Sequence, residues 1–182
     1  MMQQKLRLTG LVCLFLTNIF LSAGTNRFAH LTIKDGLSQS TIKSIYQDSK
    51  GFIWLGSADG LNRYDGYKLY VYRNDPSSPS SLIDNDIVCI YENPHDSALW
   101  IGTQGEGLSR YDRKHDTFFS FRHDAKIEKS LPDNDVRSIL AGSDGKLWIT
   151  TSGGGMCSWN PEDSSFSRPA FCDQPQFRII NS

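Results

Sequence analysis

Apolar and polar residues alternate along this chain in short bursts, each closed by a turn rich in glycine or aspartate. Residues 42–47 (Ile-Lys-Ser-Ile-Tyr-Gln) read as a strand, and Asp48-Ser49-Lys50-Gly51 reads as the hairpin that follows it. Residues 52–57, 61–64 and 68–72 supply three more strands, separated by Ala58-Asp59-Gly60 and by an Asp65-Gly66 hairpin signal. The same sequence of strands then returns twice, at 87–91, 99–103, 108–111 and 117–121, and at 136–140, 147–151, 156–159 and 165–168. Trp54, Trp100 and Trp148 hold one place in every second strand, at intervals of 46 and 48 residues. Tyr64, Tyr111 and Trp159 hold one place in every third strand, at intervals of 47 and 48. Four short strands per period of this length predict an all-β fold of antiparallel β-propeller blades, about three of them. A large aromatic repeated in this way is expected to wedge between neighbouring blades, which assigns all six aromatics to the blade core.

The first 24 residues break the pattern. Lys5 and Arg7 precede an apolar run from Leu8 to Leu21, and Ser22-Ala23-Gly24 offers the small residues of a cleavage site. The run is short for a spanning helix, so it reads as a secretory signal with a periplasmic destination, a retained anchor being the alternative. No cysteine follows Gly24, so no lipid attachment is expected. The expected organisation is a signal peptide at 1–24, an amino-terminal strand within 25–35, and blades at 36–80, 81–129 and 130–170. Residues 171–182 are expected to begin a fourth, truncated blade. The polar connections at 73–82 and 122–131 count as loops, because the period runs through them.

Composition narrows the chemistry. A net charge of −1 provides no field for nucleic acid. Cys89, Cys157 and Cys172 are an odd number at irregular spacing once Cys13 is removed with the signal, so no disulfide framework is expected. Four scattered histidines lack metal-ligand spacing, and no cofactor motif, hydrolase elbow or kinase box is present, so neither metal, cofactor nor catalytic residue is assigned. If the first strand of each blade is innermost, the loops entering it and the turns between strands two and three share one face. That face collects Asn85, Asp86, Asn134 and Asp135, with Lys43 and Arg137 in inner strands nearby. Such a rim of amides, hydroxyls and carboxylates suits an oligosaccharide, and the two cations suit an acidic sugar. The alternative is that Asp-Asn-Asp before a strand is turn and capping chemistry alone.

The strings Asp35-Gly36-Leu37-Ser38, Gly51-Phe52-Ile53-Trp54-Leu55-Gly56 and Gly60-Leu61-Asn62-Arg63-Tyr64-Asp65-Gly66-Tyr67 closely resemble the two-component regulator propeller repeat. The opening in particular resembles the periplasmic sensor of Bacteroides-type hybrid histidine kinases. Thr150 departs from the pattern, standing where the repeat has glycine after its tryptophan. The resemblance implies a sensor of glycan breakdown products, homodimeric and anchored in the inner membrane, of which this chain would hold the first blades and no kinase. An exported glycan-binding or adhesion propeller without signalling is the alternative, and a propeller-borne lyase or glycosidase comes third. By the same resemblance, residues 28–32 would form an outer strand of a closing blade, and missing blades would be partners of those present.

Overall fold

The structure, a computed structural model, describes residues 30–143 and 145–169. The signal segment, Cys172 and the expected start of a fourth blade lie outside the described residues. Twelve strands follow one another: β1 (Ile42–Gln47), β2 (Ile53–Ser57), β3 (Gly60–Tyr64), β4 (Leu69–Tyr72), β5 (Ile87–Glu92), β6 (Leu99–Thr103), β7 (Leu108–Asp112), β8 (Thr117–Phe121), β9 (Val136–Ala141), β10 (Leu147–Thr151), β11 (Gly155–Asn160) and β12 (Ser165–Ser167). They form three four-stranded antiparallel meanders, β1 to β4, β5 to β8 and β9 to β12, as the alternation predicts. The first strands converge: β1 lies beside β5, and β5 beside β9. Each meander is therefore one propeller blade with its first strand innermost.

Of the amino-terminal strand expected within 25–35, residues 25–29 lie outside the described residues. Residues 30–32 are not strand, and Ile33–Asp35 is a 3-10 turn. The Thr32 side chain accepts from the Lys34 amide while the Asp35 carboxylate accepts from the Thr32 amide and hydroxyl, and Gly36 closes the turn in the left-handed region at φ 103°. Local capping wins here over strand pairing.

The blades are held by a directional seam. In each blade the second-strand tryptophan points forward and the third-strand aromatic points back. Trp54 meets Tyr111 of the next blade at 5.2 Å between ring centroids, and Trp100 meets Trp159 at 5.0 Å, both edge to face. All four rings are buried, within two clusters that straddle the two seams. Leu61 and Leu108 reach forward into the same clusters, while Ile90 and Ile139 reach back. Removing such a tryptophan side chain costs about 3–5 kcal/mol in a well-packed core.

The end positions behave differently because a seam needs two sides. Trp148 faces forward from the third blade and Tyr64 faces back from the first, and both are only half-buried. Ile45, the counterpart of Ile90 and Ile139, is 71% exposed for the same reason. Of the six aromatics assigned to the core, these two are not sealed within it among the described residues. The seam also explains two glycines. A Cβ on Gly56 would lie 2.6 Å from Ile87 Cγ2, and one on Gly102 would lie 2.6 Å from Val136 Cγ1. The first strand residue of the following blade, together with Ser44 or Cys89 of the same blade, thus occupies the space a side chain would need.

An ion cluster ties the first seam at the hairpin end. Arg113 pairs with Asp48 at 2.8 Å and with Glu92 at 2.8 Å, so one guanidinium joins two blades. Glu92 also accepts from the Ser49 amide and hydroxyl. The Trp54 indole N–H donates to Asp48 Oδ2 at 2.7 Å, whereas the buried Trp100 indole N–H has no partner among the described residues. Burial alone would raise the Asp48 pKa, but the Trp54 and Arg113 hydrogen bonds and the guanidinium charge outweigh it and hold the carboxyl below its ordinary value.

Two outcomes follow. Trp54→Phe should destabilise the chain more than Trp100→Phe by about 1–2 kcal/mol, since only the former loses a hydrogen bond to a carboxylate. Urea titration of the two variants reads this difference. The depressed Asp48 pKa also means that its contribution is complete above the unfolded value of 3.8 and fades as the pH falls through the lower folded value. Asp48→Asn should therefore flatten the loss of stability below that pH, measured by acid titration of the circular dichroism signal.

Candidate functional site

Opposite the ion cluster, the loops entering the inner strands meet the turns that join second to third strands. The Gln104 amide donates to the Asp86 carbonyl at 3.0 Å and the Ser152 amide to the Asp135 carbonyl at 2.9 Å. Across the seams, the Gly60 amide donates to the Asn85 carbonyl and the Gly107 amide to the Asn134 carbonyl. Gln104 also forms an isolated bridge with Asp135 of the third blade. The segments grouped by strand counting therefore do share one face.

A β-bulge shapes this face at the same point of every blade. Register shifts fall between Ile42 and Ser44, between Ile87 and Cys89, and opposite Thr150 and Thr151. The extra residues are Lys43, Val88 and Arg137. A bulge turns a side chain out of the regular pleat, and here it turns two cations towards the rim. Lys43 Nζ pairs with Asp86 Oδ1 of the next blade at 2.5 Å and approaches Gln104 Oε1 at 3.4 Å. Arg137 pairs through Nη2 with Asp135 Oδ2 at 2.6 Å and through Nε with Ser152 Oγ at 3.0 Å.

Four of the six residues singled out in the sequence, Lys43, Asp86, Asp135 and Arg137, thus stand as two ion pairs on one rim. The other two are committed to the fold. Asn85 Oδ1 accepts from the Asn74 amide at 2.8 Å, and Asn134 Oδ1 accepts from the His123 amide at 2.7 Å, each holding the crossover loop that precedes its blade. Sequence reasoning missed Arg73 and Arg122, which close the rim as pairs with Asp59 and Glu106 at 2.9 and 3.0 Å. Their signal was their shared position, immediately after the fourth strand of successive blades. Lys43, Arg73, Arg122 and Arg137 each have a carboxylate partner, whereas Arg168, at the matching place of the third blade, forms no ion pair among the described residues.

The thiols contribute no reactivity. Burial pushes Cys89 and Cys157 up to about 12, which leaves both as neutral thiols in the seams. Three concavities lie away from the rim pairs. A cleft of about 590 Å³ lies between the crossover loop 123–131 and β12, and a smaller one of about 260 Å³ holds the matching place beside β8. A third, of about 490 Å³, opens at the hairpin end. Among the described residues, no helix is long and apolar enough to cross a membrane.

Comparison with known proteins agrees with this architecture. The two component regulator propeller model matches residues 36–59 and 130–153, each the opening of a blade through its second strand. A 55-residue stretch is 46% identical to "Histidine kinase P4" of Formosa agariphila, covering 30% of this chain and 4% of that protein. Among solved structures, the extracellular domain of a B. thetaiotaomicron protein assigned as a hybrid two component system, BT3049, superposes with a TM-score of 0.74 at 29% identity. That match covers 81% of this chain and 20% of the other. The extracellular domain of a protein assigned as a one component system, BT4673, from the same organism gives 0.60 at 29% identity over 76% of this chain and 20% of its own. The chain thus spans about a fifth of the length of these structures. It carries two-component regulator propeller repeats, folded as β-propeller blades similar to those of these two domains.

Proposed function

We propose that this chain is part of the periplasmic, ligand-sensing propeller of a two-component sensor and that its rim contacts a neutral oligosaccharide. The sensor reading rests on the repeat and on relatives described as a histidine kinase and as two-component extracellular domains. The ligand class rests on one observation, the pairing of the two inner-strand cations. Lys43 and Arg137 are each neutralised by an aspartate. An acidic sugar would have to break those pairs and meet Asp86 and Asp135 behind them. Hydroxyls of a neutral sugar can instead donate to the carboxylates and accept from the cations without any group losing its partner. The earlier expectation of an acidic ligand at these two cations is therefore replaced.

In such a sensor, ligand seated across the seams would favour one arrangement of neighbouring blades, and the difference in affinity between arrangements is the signal. The Gln104 backbone bonds to its own blade and bridges to the next, and its side-chain Oε1 lies 3.4 Å from Lys43 Nζ of the preceding blade, which places this side chain across the first seam.

Titration calorimetry of the purified chain against neutral and uronate-containing oligosaccharides tests the reading. The neutral series should bind, and Gln104→Ala should weaken that binding by about fivefold while leaving any binding of the uronate-containing series unchanged. No binding of the neutral series, or an equal loss of both series in Gln104→Ala, would overturn it.

A further inference from the structure

The hairpin end carries a second, chemically opposite site. Its cleft of about 490 Å³ is lined by Lys50 of the first blade and by Arg110, Lys114 and Phe119 of the second, together with Asp96 and Asp112. Here the cations are not neutralised. Lys50 and Lys114 form no side-chain ion pair or hydrogen bond among the described residues, and Arg110 lies over the Trp100 ring at 6.0 Å without a carboxylate partner. Arg113, beneath them, is fully used by Asp48, Glu92 and the Ser97 carbonyl.

The two carboxylates are turned to their own hairpins. Asp96 accepts from the Ala98 amide, and Asp112 accepts from the Lys114 amide and pairs with His115 at 2.6 Å. Hydrogen bonding to His115 and to the Lys114 amide holds the Asp112 carboxyl below its ordinary value. Phe119 pairs across the strands with Arg110, is 53% exposed, and presents an uncovered ring beside the three free cations.

Cations without counter-ions around an exposed aromatic ring define a ligand with the converse features: anionic oxygens on a body with an apolar ring face. We infer that this cleft binds an acidic saccharide, carrying sulfate or uronate groups, separately from the neutral rim at the other end of the blades. Lys50, Arg110 and Lys114 hold the anionic groups, and Phe119 stacks against a sugar ring. Because Lys50 and the other three residues come from different blades, such a ligand bridges the first seam on the side away from the rim.

Calorimetry at low ionic strength on the full chain, with sucrose octasulfate and trigalacturonate as probes and sucrose as the uncharged control, tests this. The charged probes should bind and sucrose should not bind this cleft. The double variant Lys50→Glu/Lys114→Glu should weaken binding by about tenfold or more, since two attractive contacts become repulsive. Lys126→Glu makes the same kind of charge change in the crossover loop between the second and third blades, outside this cleft, and should leave affinity unaltered. Phe119→Ser should weaken binding of sucrose octasulfate several-fold while leaving that of inorganic sulfate unchanged. All four positions are exposed, so circular dichroism should report an unchanged fold. Absence of binding by both charged probes, or an equal loss in Lys126→Glu, would overturn the inference. Binding of only the sulfated or only the carboxylated probe supports it and identifies which anion the cleft takes.

Discussion

The contact on which the rest depends is an edge-to-face pair of aromatics between one blade and the next. Trp54 against Tyr111 and Trp100 against Trp159 set how closely the blades approach. A blade is itself a four-stranded sheet with apolar side chains on both faces, so it cannot bury them alone. Once the rings are seated, the inner strands come together and the glycine beside each tryptophan is filled by the following blade. The entering loops are then brought against the turns of the preceding blade. The rim is a by-product of this stacking: its inter-blade hydrogen bonds exist only at the separation that the aromatics impose.

The two ends of the blades use the same residue types to opposite electrostatic effect. At the rim, bulged or loop-borne cations face carboxylates of loops and turns, and Lys43, Arg73, Arg122 and Arg137 are each paired. At the hairpin end, one arginine is drawn beneath the surface to satisfy two buried carboxylates, while Lys50, Arg110 and Lys114 have no carboxylate partner among the described residues. The difference comes from spacing. Rim carboxylates lie in segments that the seam brings opposite the cations, while Asp96 and Asp112 sit in tight turns whose own amides occupy them.

The strands, the blade count and the common face were legible in the sequence because each depends on local alternation and on a period that can be counted. The charge pairs were not. Lys43 and Asp86 are 43 residues apart and Asp48 and Arg113 are 65 apart, so their pairing depends on how neighbouring blades are set against each other. The roles of Asn85 and Asn134 were equally hidden, since an amide in a turn can face solvent or brace a loop, and only the path of the crossover decides. Trp148 and Tyr64 show the converse limit. Their places in the repeat are plain, yet burial is a property of a seam, and each of them occupies half of one. The turn at Ile33–Asp35 could have been read: Thr32 and Asp35 form a capping pair ahead of Gly36.

Thr150 gives the array an order. Gly56 and Gly102 are interchangeable, because each admits a β-branched residue from the blade that follows. A gene segment encoding either blade could be duplicated in tandem and the new junction would fit. The third blade is different: a copy of it placed behind itself would drive Val136 into the Thr150 side chain. Duplication and shuffling of repeats are therefore permitted on one side of this blade and obstructed on the other, and a single side chain marks the point at which the modules stop being equivalent.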